Sequence, residues 1–355
     1  MTHLKSNIIN LCMIFKNLFL TKEFIHRETL TEVQKELISK FNTNTDIDYE
    51  TIPCEVCNSN NLNVLFTNDR LGINRNTVYC KECSFILTNP RMKELSAKLF
   101  YNSDLYRRIY HKNYDDKNIL YYETLKALKK HQVLNPKKPN FKKYYKNLYF
   151  DFINNEITDY TSVLDVGCGM GLKLLDFSNI GKKAEGIDPS ETFLKAHKEF
   201  NLNTSVGFIN DVKKKYDLVI LTHVFEHLYD LRKVTDQLSN ITNKYLFLEI
   251  PGHYTQMQTI QNPHNYYFSA NTLNFFILNN KFKLIKIEYD KEKEFIFALY
   301  KKTEKKNEFK YDKKLEKKIL KRIIFNYYFK YYIIKIISFF RLKKYVKLIY
   351  NKLKR

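Results

Sequence analysis

The chain has 355 residues, enough for one enzyme domain with smaller attachments, because a single hydrophobic core stops growing at roughly 250–300 residues. It holds 60 Lys and Arg against 38 Asp and Glu, for a formal net charge of +22. Residues 301–355 contain 20 basic and 4 acidic residues and so carry +16 of this total. The positive charge is therefore concentrated in the tail, which excludes a uniformly basic surface for an anionic partner.

The first 50 residues are predicted to form a helical N-terminal extension (1–50). Apolar residues 8–20 are interrupted by Lys16 and are not followed by a small-residue cleavage site, so the sequence predicts no secretory signal and a cytoplasmic location. Leu30, Val33, Leu37 and Phe41 recur at helical spacing after a start signal near Thr31.

A cysteine-rich module is predicted over residues 51–92, with short strands and turns. Two Cys-x-x-Cys pairs are separated by 22 residues, close to the spacing at which two knuckles surround one tetrahedral zinc ion. A reducing compartment disfavours disulfides, and a redox role usually needs only one pair. The predicted ligands of a structural Zn²⁺ are Cys54, Cys57, Cys80 and Cys83. Such modules also bind nucleic acid or other proteins, so this one does not identify a substrate.

Residues 93–160 are predicted to form a helical connector or lid, interrupted at 135–139, where two prolines lie. From residue 161 to 302 strand-like and helix-like runs alternate, which is typical of an α/β fold with a parallel sheet covered by helices. Seven strands are predicted at 162–166, 184–187, 204–206, 218–222, 245–250, 282–289 and 295–300. The tight connection at 290–294 predicts that the last two are antiparallel.

The segment 163–171 is an apolar strand that runs into a glycine-rich turn. Glycines allow the backbone to turn sharply and to approach a ligand closely. A dinucleotide fingerprint needs its third glycine one position later, where this chain has Leu172, and Asp165 before the turn would repel a pyrophosphate. The pattern therefore favours a cationic ligand without phosphate, such as S-adenosylmethionine.

A second acidic residue, Asp188, ends the next predicted strand, 21 residues after Gly167. Its carboxylate can accept hydrogen bonds from both hydroxyls of a ribose. The structural alternative for Asp188 is a helix N-cap before Pro189.

Four motifs in succession, DVGCGMG (165–171), EGIDPS (185–190), YDLVILTHVFEHLYD (216–230) and YLFLEIPG (245–252), resemble those of class I S-adenosylmethionine-dependent methyltransferases. The resemblance implies a Rossmann-like seven-stranded sheet with a reversed last strand and the cofactor across the carboxyl ends of the first strands. It implies that Asp165, Gly167 and Gly169 line the methionine side and that Asp188 holds the ribose. The rest of the predicted cofactor set is Gly171, Phe208 and Ile209 beside the adenine, and Thr222.

The run from Thr222 to Leu228 follows the fourth predicted strand, at the edge of the sheet where chemistry occurs in such folds. His227 or His223, with Glu226 beside them, is the first candidate for a general base; the alternative is a Glu–His pair that only holds the loop. Some related quinone-pathway methyltransferases bind a divalent cation through Glu-x-x-Glu-His, but His223 occupies the first position here, and no catalytic metal is predicted.

Residues 263–269 resemble a segment of bacterial sugar methyltransferases that carry an N-terminal zinc module over the substrate. The resemblance implies His264 and Tyr267 as a second candidate acid–base pair, with aromatic packing as the alternative. It also implies a small polar acceptor, a sugar or nucleotide sugar of surface polysaccharide biosynthesis. Because the C-terminal domain of that family is not recognisable in this chain, the acceptor atom stays open.

Residues 303–355 are predicted to form a basic, amphipathic helical tail. Lys330 and Lys335 interrupt its apolar stretch, which disfavours a membrane span and favours peripheral attachment to an anionic surface at the inner face of the membrane. The alternatives are a helical hairpin packed on the enzyme and nucleic-acid binding. The function alternatives are correspondingly an RNA methyltransferase that binds RNA through the module and tail, and a non-catalytic membrane-associated scaffold that retains the cofactor fold.

Overall fold

The structure, a computed structural model, describes residues 30–110, 119–133, 148–252, 260–290 and 295–339. Its first element is helix α1, Glu32–Asn42. Thr31 caps this helix by accepting a hydrogen bond from the amide of Gln34 at 3.2 Å, and the Gln34 side chain accepts one from the Thr31 amide at 3.1 Å. The buried face carries Gln34, Ile38 and Phe41. Val33 is 43% exposed, so the predicted apolar face is wrong at that position.

The cysteine module folds as two small antiparallel sheets. Its strands are β1 Tyr49–Glu50, β2 Leu62–Asn68, β3 Asn74–Cys80, β4 Ile86–Thr88 and β5 Arg91–Met92. In each Cys-x-x-Cys turn, the residue that follows the second cysteine has a left-handed backbone, with φ of 58° at Asn58 and 66° at Ser84. Their amides donate to the carbonyls of Cys54 at 2.7 Å and Cys80 at 2.8 Å. This backbone geometry turns both knuckles towards a common point.

The described residues of the connector are mostly helical. Its described helices are α2 Glu94–Asn102, α3 Asp104–Tyr110, α4 Ile119–Val133 and α5 Leu148–Asn154. Phe100 and Ile109 from α2 and α3 pack with Phe41 of α1 and Ile73 of the module. Helix α5 lies under the main sheet, where Ile153 packs in a separate core. The predicted interruption at 135–139 lies outside the described residues.

The main sheet has seven strands, as predicted. They are β6 Ser162–Val166, β7 Lys183–Asp188, β8 Asn203–Val206, β9 Tyr216–Thr222, β10 Thr242–Pro251, β12 Phe282–Tyr289 and β13 Phe295–Lys302, while β11 Tyr266–Tyr267 belongs to the module's sheet. The order is β12-β13-β10-β9-β6-β7-β8. Strands β6 to β10 pair in parallel, and β13 is antiparallel to both of its neighbours. The predicted α/β fold and the reversed last strand are thus confirmed.

Helices cover both faces of this sheet. They include α6 Leu172–Asn179, α7 Glu191–Lys198, α8 Leu231–Ile241 and α9 Ala270–Leu278. The central strands therefore have no polar face. Along β9, Leu218 and Ile220 enter the core shared with α5, whereas Val219 and Leu221 enter the larger core on the other face.

The cysteine module and the main sheet form one continuous structure. Strand β11, from the predicted His264–Ser269 segment, pairs antiparallel with β4 of the module. The larger core runs from Cys54 and Phe85 in the module to Phe268 and the main sheet. The module therefore supports a loop of the main domain directly.

The tail begins as a single long helix, α10 Lys313–Phe339, and its first half packs on the module. Leu320, Ile323 and Tyr327 join Phe66 and Tyr267 in a small apolar core. This contact matches the predicted alternative of a tail packed on the enzyme, and the described part of the tail forms one helix. Attachment to a membrane stays a prediction for the tail beyond Tyr327, and within the described ranges no helix is both long and apolar enough to cross a bilayer.

Glu316 of α10 is 3% exposed and joins the tail to the main domain. Its Oε2 accepts hydrogen bonds from Ser269 Oγ at 2.7 Å and from Asn271 Nδ2 at 3.2 Å, at the N-terminus of α9, where a negative charge is favourable. We expect Glu316→Ala to lower the free energy of unfolding by about 1–3 kcal/mol, because buried donors lose their acceptor. Urea denaturation measures this change. Glu308→Ala, at an exposed position, should have no effect, and equal effects of the two substitutions would contradict the docking of the tail.

Candidate functional site

The glycine turn after β6 requires glycine for two reasons. Gly167 and Gly171 have φ of 70° and 74°, and a Cβ on them would lie 2.4 Å from Val224 Cγ2 and 2.9 Å from His197 Nε2. Gly169 has φ of 48°, but a Cβ there would meet no protein atom closer than the Gly167 carbonyl at 4.0 Å. The turn is therefore packed on both sides and leaves space at Gly169.

Asp188, at the end of β7, supports this turn. Its Oδ2 accepts a hydrogen bond from the Gly169 amide at 2.9 Å, and its Oδ1 accepts one from the Ser190 amide at 2.8 Å. The N-cap of helix α7 is Ser190, so the alternative of an N-cap at Asp188 is wrong. The second contact holds the turn that precedes this helix. A carboxylate oxygen can accept more than one hydrogen bond, and Asp188 can thus hold the turn and still accept from a ligand hydroxyl.

Asp165 lies beneath the turn and is 1% exposed. Its Oδ1 has no hydrogen-bond partner among the described residues. Burial raises the pKa of Asp165 to about 7; Lys173 opposes the rise, and the negative charges of Asp188 and Glu249 add to it. Three carboxylates therefore converge on this edge of the sheet, an arrangement that a cationic ligand would stabilise.

The two residues predicted beside an adenine differ in their surroundings. Phe208 is half-buried, and Lys98 Nζ lies 4.3 Å from the centroid of its ring. Ile209 is 4% exposed and packs in the larger core. The structure thus contradicts the adenine contact predicted for the Ile209 side chain, because that side chain follows the apolar interior. Thr222, at the end of β9, pairs with Glu249 and is 8% exposed.

The predicted Glu–His pair is the centre of a larger cluster. Glu226 is 1% exposed, and neither carboxylate oxygen has a hydrogen-bond partner among the described residues. Three imidazole nitrogens face its Oε1: His223 Nδ1 and His227 Nε2, each at 3.8 Å, and His264 Nε2 at 4.0 Å. The structure thus brings the first candidate base and His264 of the second candidate pair to one buried carboxylate.

His223 lies between two carboxylates. It has a strained, left-handed φ of 56°, and its Nε2 lies 3.5 Å from Glu249 Oε1. Burial alone would lower the pKa of His223, but Glu226 and Glu249 raise it to about 9. His223 is therefore a cation at neutral pH, and its side chain is 44% exposed.

His227 is more enclosed and stays neutral, because burial lowers its pKa below the ordinary value. Its Nδ1 lies 2.8 Å from the Pro263 carbonyl oxygen and 2.7 Å from the hydroxyl of Tyr101 in α2. Sequence reasoning missed Tyr101, since nothing distinguishes it from the other tyrosines of the connector.

His264 and Tyr267 are in contact through their rings, as the alternative of aromatic packing predicts. His264 is 4% exposed; burial, with the nearby His227, lowers its pKa well below the ordinary value. The Tyr267 ring centroid lies 6.1 Å from that of His264. Tyr267 packs against the module and α10, so the structure contradicts its predicted acid–base role. The alternation of side chains in β11 directs it away from Glu226.

The loop that carries His264 is held by the module. Thr88 Oγ1 donates to the His264 carbonyl at 2.7 Å, and Asn265 Nδ2 donates to the His227 carbonyl at 2.8 Å. Arg75, 6% exposed, donates to Asn262 and, at 3.3 Å, to Asn265 Oδ1. These contacts place a buried guanidinium beside the Glu226 cluster, which sequence reasoning did not foresee.

The four module cysteines converge as the sequence predicts. Cys54 Sγ lies 3.4 Å from Cys83 Sγ, and Cys57 Sγ lies 3.5 Å from Cys80 Sγ. All four sulfurs lie within 4.8 Å of one another. Tetrahedral zinc with Zn–S bonds of about 2.3 Å requires sulfurs roughly 3.8 Å apart, so the donor set fits this metal.

A comparison with protein families identifies the main domain. Residues 112–285 match the family described as a methyltransferase domain. This chain carries a methyltransferase domain. The matched range contains the glycine turn, Asp188 and the complete Glu226 cluster.

Curated relatives are similar over a short region only. The ubiquinone biosynthesis O-methyltransferase of Nitrobacter winogradskyi is 29% identical over 83 residues, which cover 21% of this chain and 32% of the relative. A protein of the same name from Rhodopseudomonas palustris is 31% identical over 77 residues, covering 19% of this chain and 30% of the relative. The chain thus matches about a third of the length of these relatives.

Solved structures are similar at low identity. A putative S-adenosylmethionine-dependent methyltransferase from Listeria monocytogenes has a TM-score of 0.37 and 15% identity, covering 44% of this chain and 98% of its own. Magnesium protoporphyrin IX methyltransferase from Synechocystis, with SAH bound, has a TM-score of 0.40 and 16% identity, covering 59% of this chain and 100% of its own.

The raised pKa of Asp165 gives a prediction for stability. The pKa of this carboxyl group is about 7 in the folded protein and 3.8 in its ordinary state. Its contribution to stability is therefore fully present below pH 4 and is lost as the pH rises through 7. We therefore expect Asp165→Asn to raise the Tm of the cofactor-free protein at pH 8, by roughly 2–4 °C for each kcal/mol regained. The gain should vanish near pH 4.

Asp217 is a control of opposite sign. Burial opposes its charge, but hydrogen bonds from the Thr161 amide and hydroxyl, at 2.9 and 2.8 Å, hold the pKa of Asp217 below its usual range. Asp217→Asn should therefore lower the Tm at pH 8. Calorimetry at several pH values measures the Tm difference between each variant and the wild type. If the difference for Asp165→Asn is less favourable at pH 8 than at pH 4, the raised pKa of Asp165 is contradicted.

Proposed function

We propose that the protein transfers a methyl group from S-adenosylmethionine to a hydroxyl of a small polar acceptor, a sugar or nucleotide sugar of surface polysaccharide biosynthesis. The observation that carries this proposal is the group of carboxylates around the glycine turn, where Asp165 is buried with a partnerless oxygen. The methyltransferase domain match over 112–285 supports the reaction class.

The residues of the turn suit this cofactor. The free space at Gly169 allows a ligand to approach the backbone, and Asp165, Asp188 and Glu249 provide negative charge for a ligand with an ammonium and a sulfonium group. Asp188 would accept from the ribose hydroxyls. Phe208 offers an aromatic surface for the adenine. When bound, S-adenosylmethionine supplies an electrophilic methyl group on sulfur.

The Glu226 cluster would handle the proton of the acceptor. His227 is neutral, and its Nε2 faces Glu226, so Nε2 would take the hydroxyl proton of the acceptor when the methyl group moves from sulfur to that oxygen and S-adenosylhomocysteine leaves. Glu226 would stabilise the imidazolium that forms. His223, cationic and exposed, would donate a hydrogen bond to the acceptor oxygen or to a neighbouring polar group.

Several contacts support a sugar-type acceptor. The module is joined to the His264 loop through β4 and β11, as in an enzyme whose zinc module forms part of the acceptor site. Arg75 places a positive charge near His264, which suits the phosphates of a nucleotide sugar. The curated relatives are named O-methyltransferases, which supports oxygen as the acceptor atom.

The test is incubation with labelled S-adenosylmethionine and a panel of nucleotide sugars, free sugars, phenols and RNA. We expect label in a nucleotide sugar or sugar, and a loss of about 100-fold or more in kcat for His227→Gln, since a general base contributes 10²–10⁴.

Calorimetry should show cofactor affinity that rises with pH through about 7 in the wild type, as Asp165 ionises, and that is weak in Asp188→Ala. Transfer only to RNA would reject the acceptor class, and no cofactor binding would reject the activity.

We also propose that the four module cysteines hold one structural Zn²⁺. The donor set and the two matching turns support this metal, and the ion would act by holding β4, and through it the His264 loop, in place.

Removal of the metal should therefore disturb the catalytic loop. Dialysis against a strong chelator, or Cys80→Ser, should lower the metal content below one zinc per chain, decrease the Tm and abolish methyl transfer. Cys168→Ala is the matched control, because Cys168 is a buried cysteine outside the module and should retain the metal. A metal-free protein with unchanged stability would contradict the structural role.

A further inference from the structure

We infer that Tyr101, on the connector helix α2, is a positioning residue that acts with the Pro263 carbonyl to stabilise the tautomer in which His227 meets the acceptor. This inference rests on the proposed function, since it concerns the residue proposed there as the base. It makes the connector a part of the active site and not only a cover over it.

The hydrogen-bond geometry around His227 determines the position of its proton. A backbone carbonyl can only accept, and the Pro263 oxygen lies 2.8 Å from His227 Nδ1. Nδ1 must therefore carry a hydrogen in this arrangement. The Tyr101 hydroxyl donates to the same carbonyl at 3.2 Å, which leaves an oxygen lone pair facing Nδ1 at 2.7 Å. Tyr101 and Pro263 thus act together as acceptors for the Nδ1 hydrogen.

The consequence appears on the other side of the ring. A neutral imidazole with hydrogen on Nδ1 has its lone pair on Nε2. Nε2 lies 3.8 Å from Glu226 Oε1, whose own hydrogen-bonding capacity is unused among the described residues. Two acceptors face each other there, and the missing donor is the hydroxyl of the acceptor substrate. Without Tyr101, the Nδ1 hydrogen would be held by one carbonyl alone.

Tyr101 is suited to this role by its own surroundings. Burial raises the pKa of its phenol well above the ordinary value, so it stays a neutral donor and acceptor across the working pH range. Its ring stands edge-on to His227, with the centroids 5.7 Å apart, and packs against Phe100 and Tyr106. The connector therefore holds the hydroxyl in one place.

The same helix also reaches the cofactor side of the cleft. Lys98, one turn before Tyr101, lies with its Nζ 4.3 Å from the Phe208 ring centroid. Helix α2 thus contacts both the proposed adenine surface and the proposed base.

The titration of His227 depends on charged groups from several elements. Glu226 raises its pKa, and His223 and His264 are the imidazoles around it. From the other side, the connector contributes the neutral Tyr101 and Tyr106. The module contributes Arg75, which acts on Tyr101. Replacement of Tyr101 by Phe leaves all these charges in place and removes only the hydroxyl.

The experiment compares wild type, Tyr101→Phe and Tyr229→Phe, with ¹⁵N-labelled histidine and bound S-adenosylmethionine. Tyr229 is the matched control, because its hydroxyl donates to the Met92 carbonyl at 2.8 Å and not to His227. NMR should show His227 with hydrogen on Nδ1 in wild type and in Tyr229→Phe. In Tyr101→Phe it should show a mixture of tautomers or an altered pKa. This spectrum is read without turnover and tests the positioning role by itself.

Kinetics then connect the spectrum with the reaction. We expect Tyr101→Phe to lower kcat about tenfold with little change in KM, and to shift the acidic limb of the pH profile of kcat. Tyr229→Phe should leave that limb in place.

Two results would overturn the inference. One is a wild-type His227 with hydrogen on Nε2, and the other is a Tyr101→Phe protein with the wild-type spectrum and pH profile. Absence of transfer to every acceptor overturns the proposed function, while the spectrum still decides the role of Tyr101.

Discussion

The short antiparallel pairing of Tyr266 and Tyr267 with Leu87 and Ile86 determines where the candidate active site lies. It attaches a loop of the methyltransferase domain to the cysteine module and places His264 beside Glu226. Sheet pairing specifies register strictly, because a shift by one residue would exchange the two faces of the strand. The module thus positions the His264 loop through the backbone hydrogen bonds of a short strand pair.

The second constraint is electrostatic. Asp165 and Glu226 are both almost fully buried, and each has an oxygen without a hydrogen-bond partner among the described residues. A buried carboxylate oxygen that accepts no hydrogen bond destabilises the free protein. Its presence in two places at one edge of the sheet is typical of a site whose partners arrive with the ligands: a cation at Asp165, and a proton donor at Glu226.

These two constraints explain why the site is assembled from three parts of the chain. The main sheet provides the glycine turn and the Glu226 turn, the module positions the His264 loop, and the connector provides Tyr101. The tail contributes from outside, since Glu316 accepts a hydrogen bond from Ser269, the N-cap of the helix that follows this loop. The methyltransferase fold alone would leave His227 with the Pro263 carbonyl but without the Tyr101 hydroxyl.

Local patterns in the sequence determine the strands of the main sheet, the reversed last strand, the glycine turn and the two cysteine knuckles. Each depends on neighbours in the chain: alternating apolar runs, backbone angles that favour glycine, and paired thiols at fixed spacing. The environment of Ile209, the packing of Tyr267, the docking of the tail and the contact of Tyr101 with His227 were decided only by the tertiary structure. They depend on pairings between residues far apart in the chain, such as Tyr101 and His227 or Ser269 and Glu316, and no local pattern encodes which distant partner a buried side chain will meet.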